Sequence, residues 1–494
     1  MVLVVIDGMR SDAFEQAASS GRAPALQFLR DRGSYVRDSV AIFPTITPAA
    51  TSTLVTGEVP ARHGIPGMCW YDRDHQRFVN YGQSRGVAMA EGLGQVVEDF
   101  LVYLNHEHLS GDVRTIHEQL HELGLSSGAT NFMVFRGPFE HRLEPGLMER
   151  LLFRKHLPRT VRGPKEHYFA DVVRGPADAG GRRKRGRGLE RHTRHNDKWA
   201  AEVTRDLLEQ GAADMILFYL HENDHVSHHG GPVTQVDNLV RADEHIGSVL
   251  DTFGTWERTL HEAGFVLTAD HGQTAIGDDA EHVIEFGEVL ADFRRVKPGP
   301  GPDPLEDHDL AVCGNGRAAF VYLASDRREE LRKPVAAALL ASPGVDQVMW
   351  RDGSTYVVDS DRGRVEFEPA AAGHGVVDER RNRWHLRGDL QAIDAIVEGG
   401  MVRTPEYPLA MWRIRSAMDL DRIGDLVATM RLGYDCADLS DESHRGGGDH
   451  ASLHAQDSLV PFVSTLENPP MRPAATDVTP HVVRHFRRLV GMAA

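Results

Sequence analysis

The apolar residues of this chain fall into short runs that are separated by amphipathic stretches. Val2–Ile6, Met215–Leu220 and Phe265–Thr268 are unbroken apolar runs, which is the pattern of strands buried on both faces. Apolar side chains recur at helical spacing in the stretches around these runs, at 22–32, 196–210 and 233–253. Because strands and helices alternate, we predict an α/β fold whose central, mostly parallel sheet has helices on both faces.

A different pattern follows the Pro/Gly-rich stretch at 294–305. It consists of strand-like and helical segments at Ala318–Leu323, Arg328–Leu340, Val345–Trp350 and Thr355–Val358. We interpret residues 294–395 as a small α+β insertion in a catalytic core. The core would be formed by residues 1–293 and 396–494, with a closing helix at His481–Leu489.

Charge and hydropathy exclude several classes of protein. The 55 Lys and Arg residues are outnumbered by 72 Asp and Glu residues, and the net charge of −17 is opposite to that of a nucleic-acid coat protein. No apolar run approaches the ~20 residues of a membrane span, and no signal peptide is visible. We therefore expect no specific nucleic-acid partner and no membrane span. We expect a cytoplasmic chain, although a secreted chain trimmed of its signal peptide would look the same.

Two compositional features stand apart from this pattern. The basic Gly/Arg run at 180–195 is interpreted as a solvated loop, with an electrostatic guide for an anionic substrate as the alternative. The three cysteines, Cys69, Cys313 and Cys436, are too few and too far apart for a disulfide framework or a CxxC metal site.

Three motif matches are interpreted as lookalikes. His117–His121 has the HEQLH arrangement of zinc proteases, but without a clear third ligand we expect a solvated helix face. His221–His225 reads HENDH directly after a predicted strand, so we expect it not to be helical. Gly314–Ala319 reads GNGRAA but leads into a predicted strand, so dinucleotide binding is not expected.

Metal-ligating residue types recur where the predicted strands end. Asp7, Asp224, His228, Asp270 and His271 each closely follow one of the three apolar runs. Open α/β sheets bind their ligands at the carboxyl edge of the strands, so these side chains are expected to lie together. Carboxylates and imidazoles are ligand types suited to Zn or Mn.

A hydroxyl nucleophile is predicted in the segment 43–57, which reads FPTITPAATSTLVTG. Thr47 is expected to be the N-cap of a helix whose first residue is Pro48. Its hydroxyl would there face free backbone N–H groups and the positive end of the helix, which favour both an alkoxide and a phosphate.

Together these segments resemble the alkaline phosphatase superfamily, and most closely its nucleotide pyrophosphatase/phosphodiesterase branch. The resemblance rests on the P-T-x-T run that ends in L-V-T-G, on the His63-Gly-Ile65 that follows it, on Asp270-His271-Gly272, and on the segment Gly448–Val460 with Pro461. It covers roughly residues 2–70, 196–275 and 400–465, and it implies an alkaline-phosphatase-like core.

The resemblance also implies a two-metal phosphohydrolase. Thr47 would be the nucleophile and would hold one metal with Asp7, Asp270 and His271, while Asp224, His228 and His450 would hold the other. Zn is expected, with Mn as the alternative. Two divalent ions carry four positive charges and the three aspartates carry three negative charges. The remaining positive charge suits an anionic phosphoryl group. The implied reaction cleaves phosphodiester or nucleotide pyrophosphate bonds of a small substrate through a phospho-threonine intermediate.

Two positions depart from the family pattern. Pro48 occupies the place of an aromatic residue that stacks on a nucleobase, and Met68 occupies that of an Asn that binds a phosphoryl oxygen. Trp70 or Tyr71 is expected either to supply the stacking or to pack in the core. The departures leave open a phosphomonoesterase, a phosphonate hydrolase or a metal-dependent phosphomutase on the same core. The sequence carries no signal for the oligomeric state.

Overall fold

The central sheet is built from the predicted apolar strands. A computed structural model describes residues 1–82, 92–144, 158–170, 172–178, 196–299, 301–438 and 443–491, so the basic run at 180–195 lies outside the described residues. The strand order is Ser34–Val40, Leu459–Ser464, Phe265–Thr268, Val2–Ile6, Met215–Leu220, Ser127–Thr130 and Glu166–Tyr168. The last five strands pair in parallel, whereas Leu459–Ser464 is antiparallel to both of its neighbours. The predicted α/β class is confirmed.

Both faces of this sheet are covered, which is why its strands carry so few polar side chains. Val2, Val4 and Ile6 pack against a layer of helices formed by Ser11–Ser19, Pro24–Arg32, Asp197–Gln210 and Gln235–Leu250. The alternate residues Leu3 and Val5 face the opposite layer, which contains the helices Thr47–Thr56 and Val478–Leu489. The helices predicted at 22–32, 196–210, 233–253 and the C-terminus are therefore present.

Shorter helices connect these layers in the described part of the chain. They are Pro60–His63, Leu93–Glu98, Ile116–Glu122, Glu222–Gly230, Trp256–Glu262, Phe286–Val289, Ala410–Met418 and Ala455–Ser458, together with the π-helical segment Asp99–His108. No helix in the described ranges is both long and apolar enough to cross a membrane.

A second, almost wholly antiparallel sheet follows the Pro/Gly-rich stretch. Its order is Leu310–Asn315, Ala318–Leu323, Leu426–Met430, Val345–Asp352, Thr355–Ser360, Gly363–Pro369, Arg383–Gly388, Val376–Val377, Met401–Arg403 and Ile396–Glu398. The helix Arg328–Leu340 packs on one face through Leu331, Val335 and Leu339. Smaller two-stranded pairs join Cys69–Asp72 to Arg77–Asn80, Phe139–Arg142 to Thr160–Gly163, Thr274–Ala275 to Gly448–Asp449, and Val283–Glu285 to Asp435–Ala437.

The second sheet extends beyond the predicted insertion of 294–395. Leu426–Met430 lies between Ala318–Leu323 and Val345–Asp352 and pairs antiparallel with both strands. This pairing joins residues that are about a hundred positions apart, so local periodicity does not reveal it. The second sheet therefore combines strands of the predicted insertion with a strand of the predicted core that ends at Met430.

Two of the motif expectations need correction. The segment Glu222–Gly230 is a helix, contrary to the expectation for HENDH, because His221 stands at its N-cap and acidic Glu222 and Asp224 complement its positive N-terminus. The helix Ile116–Glu122 was expected to expose its histidines, yet His117 is buried and hydrogen-bonded to Ser127 Oγ at 3.0 Å. Burial lowers the pKa of His117 to about 3.

The third motif expectation is correct. Gly314–Ala319 forms the tight turn of the hairpin between Leu310–Asn315 and Ala318–Leu323, where Gly316 has a φ of 65°. A strand and not a helix follows the glycines, so the dinucleotide-binding arrangement is absent from this segment.

Leu217 provides a test of the double-sided core. Its side chain is fully buried in the interior strand Met215–Leu220. We expect Leu217→Ala to lower the free energy of unfolding by about 2–5 kcal/mol, because the truncation leaves a cavity that neighbouring strands cannot fill. Urea denaturation of the purified variant measures this change. The control Val233→Ala, at a side chain 87% exposed, should stay within about 0.5 kcal/mol.

Candidate active site

Three aspartates meet at the carboxyl edge of the central sheet. Asp7 follows the strand Val2–Ile6, which lies between the strands that precede Asp270 and Asp224. The backbone approaches closely here: Gly8 has a φ of 64°, and a Cβ on it would lie 2.7 Å from Asp224 Oδ1. A side chain at position 8 would therefore push Asp224 away from the other two carboxylates.

Thr47 lies in one group with Asp7, Asp270 and His271. His271 Nε2 is 3.1 Å from Thr47 Oγ1, 3.4 Å from Asp7 Oδ1 and 3.5 Å from Asp270 Oδ2. All four side chains are buried. The structure thus brings together the four residues that were predicted to hold the first metal.

Asp224, His228 and His450 form the second group. Asp224 Oδ2 is 3.0 Å from His228 Nε2, and Asp224 Oδ1 is 3.8 Å from His450 Nε2. Asp224 and His228 lie one turn apart on the helix Glu222–Gly230, so the same helix face presents both. These are the three residues predicted to hold the second metal.

The two groups adjoin each other through Asp224 and two imidazoles. Asp224 also has a carboxylate oxygen that lies with ligand atoms of Asp7 and His271 within 4.8 Å of one another. The rings of His271 and His450 are stacked, with 3.6 Å between their centroids. The arrangement is one continuous cluster with two sets of donor atoms.

Each of the three histidines is oriented by a backbone carbonyl. His228 Nδ1 lies 2.8 Å from the Gly448 carbonyl oxygen, His271 Nδ1 lies 2.9 Å from that of Gly272, and His450 Nδ1 lies 2.8 Å from that of Thr45. Since a carbonyl oxygen only accepts, each Nδ1 carries the proton and donates it. Each Nε2 then faces the cluster and is the ring nitrogen that a metal ion would bind. At His228 burial opposes the charged form, but Asp224 raises the pKa, so metal binding there would displace a proton.

The carboxylates of the cluster are short of positive charge and of hydrogen-bond donors. Asp7 Oδ1 and Asp270 Oδ2 are buried and have no hydrogen-bond partner among the described residues. Burial, together with the neighbouring Asp270 and Asp224, raises the pKa of Asp7 well above its usual value. Burial and Asp224 likewise raise the pKa of Asp270, against the opposing effect of His271. Such a donor set, dry and anionic, fits divalent cations.

The second group has the opposite electrostatic character. Burial alone would raise the pKa of Asp224, but the adjacent His228 and His450 hold it well below its usual value. Burial and the nearby His271 lower the pKa of His450 to about 3, so this imidazole is neutral at pH 7. A neutral imidazole and an ionised carboxylate are the forms that bind a metal.

Thr47 begins the helix Thr47–Thr56, one position earlier than predicted. The N-cap is Ile46, and no side chain makes a capping hydrogen bond. Thr47 Oγ1 is therefore free of a structural role at the helix end, and its partner is His271. Pro48 lies within the first turn, where its missing N–H leaves no unsatisfied donor.

Several residues that support the cluster were not identified from the sequence. The Tyr219 hydroxyl donates to Asp7 Oδ2, and Gln273 Nε2 donates to Asp224 Oδ1 at 3.1 Å. His444 Nδ1 lies 3.0 Å from Asp449 Oδ2, and its ring lies 4.1 Å from that of His228. Tyr219 is the penultimate residue of the strand Met215–Leu220 and pairs with Val5, on the face that also carries Asp7. This position is a signal that could have identified it.

Neighbouring histidines lie at the edge of the cluster. His229 is exposed and its Nδ1 bonds to the His225 carbonyl oxygen at 2.9 Å. His454 Nδ1 accepts a hydrogen bond from the Gln456 N–H and so caps the helix Ala455–Ser458. His225, His229 and His454 are not among the predicted metal ligands, and the contacts above are to backbone groups.

The two residues predicted to meet the substrate occupy different environments. Met68 packs beside Ile46, Ala49 and Ala451, which flank Thr47 and His450 in sequence. Trp70 is only 2% exposed. Its Nε1–H donates to Tyr81 OH at 3.3 Å and Arg422 lies over its ring at 5.4 Å.

The environment of Trp70 favours a packing role over nucleobase stacking. Tyr71 is equally buried and its hydroxyl donates to the Asp303 carbonyl oxygen at 2.6 Å. Both aromatic rings line a cavity of about 710 Å³ whose lining includes none of the seven predicted metal-site residues.

Comparison with known protein families agrees with this geometry. The family model for type I phosphodiesterase/nucleotide pyrophosphatase matches residues 1–453. The chain belongs to this family. The resemblance to the nucleotide pyrophosphatase/phosphodiesterase branch of the alkaline phosphatase superfamily is thereby confirmed. As a member, the protein is a metal-dependent hydrolase of phosphoester bonds.

Several solved structures share this fold at low sequence identity. Murine ectonucleotide pyrophosphatase/phosphodiesterase 5 matches with a TM-score of 0.57 and 15% identity, over 100% of this chain and 95% of its own. Phosphonoacetate hydrolase from Sinorhizobium meliloti, in complex with phosphonoformate, matches with a TM-score of 0.54 and 17% identity, over 98% and 95%. The human form of the first protein gives 0.53 and 15%, over 100% and 95%.

The charge of Asp7 predicts how this phosphodiesterase-family protein responds to pH without metal. A raised pKa means that the folded state binds more protons than the unfolded one, so the contribution of Asp7 to stability falls as pH rises above ~4. We expect Asp7→Asn to raise the thermal midpoint of chelator-treated protein at pH 8. Zinc should then raise the midpoint of the variant much less than that of the wild type, because a ligand is lost.

Thermal unfolding with and without added zinc measures both effects. Asp237→Asn, at an exposed carboxylate, is the matched control and should change neither value. A lower midpoint for chelated Asp7→Asn would contradict the repulsion argument.

Proposed function

We propose that this protein hydrolyses phosphodiester or nucleotide pyrophosphate bonds of small substrates, with two metal ions and with Thr47 as the nucleophile. The observation that supports this most directly is the common orientation of three imidazoles. His228, His271 and His450 each fix Nδ1 on a backbone carbonyl and turn Nε2 toward carboxylates, in two adjoining groups.

The residues of each group suit one divalent ion. Asp7, Thr47, Asp270 and His271 would hold one ion, and Asp224, His228 and His450 the other. Mixed nitrogen and oxygen donors favour Zn, with Mn as the alternative. When bound, the ions would neutralise the phosphoryl oxygens and favour the deprotonated form of the Thr47 hydroxyl.

Thr47 would carry the covalent chemistry. Its Oγ1 gives up its proton and forms a bond to phosphorus while the bond from phosphorus to the leaving oxygen breaks. The leaving oxygen takes up a proton, and Thr47 becomes a phospho-threonine. Water then attacks the same phosphorus, and the Thr47 oxygen leaves with a proton to restore the hydroxyl. The free backbone N–H groups at the start of the helix Thr47–Thr56 would lie near a phosphoryl group on Thr47 and would offset its charge.

A phosphonate hydrolase is the second candidate, and one observation favours it. The usual nucleobase platform is missing, because Pro48 follows the nucleophile and Trp70 is enclosed by Tyr81, His108 and Arg422. A substrate without a base would not need this platform. The phosphonoacetate hydrolase that shares the fold has phosphonoformate in its structure, which is a ligand of this kind.

A substrate panel with Thr47 variants tests the proposal. The panel consists of bis-p-nitrophenyl phosphate, p-nitrophenyl phosphate, a nucleotide sugar, phosphonoacetate and a phosphosugar. We expect diester or pyrophosphate turnover to dominate in zinc-loaded wild type. In Thr47→Ala, kcat should fall by about a thousandfold or more, because the nucleophile and a ligand oxygen disappear together.

The Thr47 variants carry their own controls. Thr47→Ser keeps a hydroxyl and should retain far more activity than Thr47→Ala. Stability should change by less than about 1 kcal/mol in both, because Thr47 makes no capping bond. More than a tenth of wild-type kcat in Thr47→Ala would rule out this nucleophile. Dominant phosphonoacetate turnover would select the second candidate, and isomerised phosphosugar would indicate a mutase.

Met68 gives a second test at the same site. A thioether cannot donate a hydrogen bond, whereas the amide of an Asn at this place would donate to a phosphoryl oxygen. One such donor is typically worth ~2.7–4 kcal/mol in the transition state. We expect Met68→Asn to raise kcat/KM for bis-p-nitrophenyl phosphate by about tenfold or more, with zinc content unchanged.

Steady-state kinetics at matched zinc occupancy measure this gain. Met68→Leu keeps an apolar side chain of similar volume and is the control that should show no gain. A drop in activity of Met68→Asn at unchanged zinc content would mean that Met68 packs against the true substrate.

A further inference from the structure

A buried ion pair lies directly behind the metal-site cluster. The side chains of Arg317 and Asp457 are both fully buried, and Arg317 Nη1 lies 2.5 Å from Asp457 Oδ2. Arg317 is the second residue of the Gly316–Arg317 turn that joins two strands of the second sheet. Asp457 lies seven residues after His450. The pair therefore connects the second sheet to the segment that carries a predicted ligand.

Every polar atom of this pair has a partner. Arg317 Nη1 also donates to Thr274 Oγ1 at 2.9 Å and to Ser452 Oγ at 3.1 Å. Both of these hydroxyls donate in turn to Asp457 at 2.5 Å. The remaining guanidinium N–H groups donate to the carbonyl oxygens of Met430, Arg431 and Tyr434. A buried charge that is so completely hydrogen-bonded holds its neighbours in one arrangement.

Several hydrogen bonds connect this network to residues that are close in sequence to His450, Thr47 and His271. The Arg317 N–H donates to the His450 carbonyl oxygen at 2.7 Å. Ser452 follows His450 by two residues, and its carbonyl oxygen accepts from Thr45 Oγ1 at 2.7 Å, two residues before Thr47. On the other side, the Asp457 carbonyl oxygen accepts from the Gly272 N–H at 2.8 Å, next to His271.

The network thus holds three separate segments that supply the cluster. It fixes the backbone at His450 and Gly272 and holds Thr45 through its hydroxyl. Thr45 and Gly272 provide the carbonyl oxygens that orient His450 and His271. We propose that the Arg317–Asp457 pair is a positioning device for the metal site, which sets the geometry of His450, His271 and Thr47 without touching the substrate. This inference rests on the proposed metal-dependent function and adds residues to its support.

The double variant Arg317→Met/Asp457→Leu tests the role of the pair. Apolar side chains of similar volume leave no unpaired buried charge, but Thr274, Ser452 and three backbone carbonyls lose hydrogen bonds, so the metal-free thermal midpoint is expected to fall by a few degrees. The zinc dissociation constant, measured by competition with a chromophoric chelator and without substrate, should rise about 10- to 100-fold. A purely structural role would lower the midpoint and leave the zinc affinity of the folded protein unchanged.

Arg136→Met is the matched control. Arg136 also pairs with an acid, Glu118, and donates to three backbone carbonyls, those of Leu109, Ser110 and Val113. None of these segments carries a predicted site residue, so zinc affinity should stay within about twofold. If the double variant does not fold, Ser452→Ala tests the same role. It removes one hydroxyl of the network and should weaken zinc binding several-fold.

The outcomes separate this inference from the proposed function. Wild-type zinc affinity in the double variant, or in Ser452→Ala when only that variant folds, would overturn the positioning role and leave the hydrolase proposal standing. Weakened zinc binding in a protein that hydrolyses no phosphoester of the panel would support the positioning role and remove the proposed reaction. A wild type that binds no zinc or manganese would overturn both.

Discussion

Mutual repulsion among three aspartate carboxylates at the edge of the central sheet is the constraint on which this site depends. Asp7, Asp224 and Asp270 are buried, and each follows one of three adjacent parallel strands, Asp224 on the helix that comes after its strand. Charges of one sign in a dry environment are costly unless a proton or a cation offsets them. The raised pKa of Asp7 and Asp270 is one response to this cost, and binding of divalent metal is the other.

Backbone carbonyls convert this charge requirement into a defined geometry. Each of the three histidines of the cluster donates a hydrogen bond from Nδ1 to a carbonyl oxygen, so the orientation of the imidazole follows the course of the main chain. Thr45 is in turn held through its hydroxyl by the Ser452 carbonyl, and the Gly272 N–H by the Asp457 carbonyl. The direction of the imidazoles is therefore set by residues that do not belong to the cluster.

The residues of the site cluster are easier to predict from the sequence than the residues that hold them in place. Asp7 and Asp270 can be identified as candidate site residues because each closely follows an unbroken apolar run, which is a local feature of the sequence. Arg317 was visible only as part of a glycine motif, since its partners Thr274 and Asp457 are 43 and 140 positions away. The helix Glu222–Gly230 was missed because Val226 is its only strongly apolar residue, so it shows no apolar periodicity.

The hairpin that contains Arg317 also holds the position where this chain departs from its family. Asn315 Oδ1 accepts from the backbone N–H groups of Met68 and Cys69, at 2.8 and 3.0 Å. Asn315 Nδ2 donates to the carbonyl oxygens of Cys69 and Cys313, so neither half of the amide is available to a phosphoryl group.

Asn315 therefore fixes the main chain at position 68 and does not replace the missing donor. Because these contacts involve only backbone atoms of Met68, its side chain can change without moving the loop. One hairpin thus holds the backbone at His450 through Arg317 and the backbone at position 68 through Asn315.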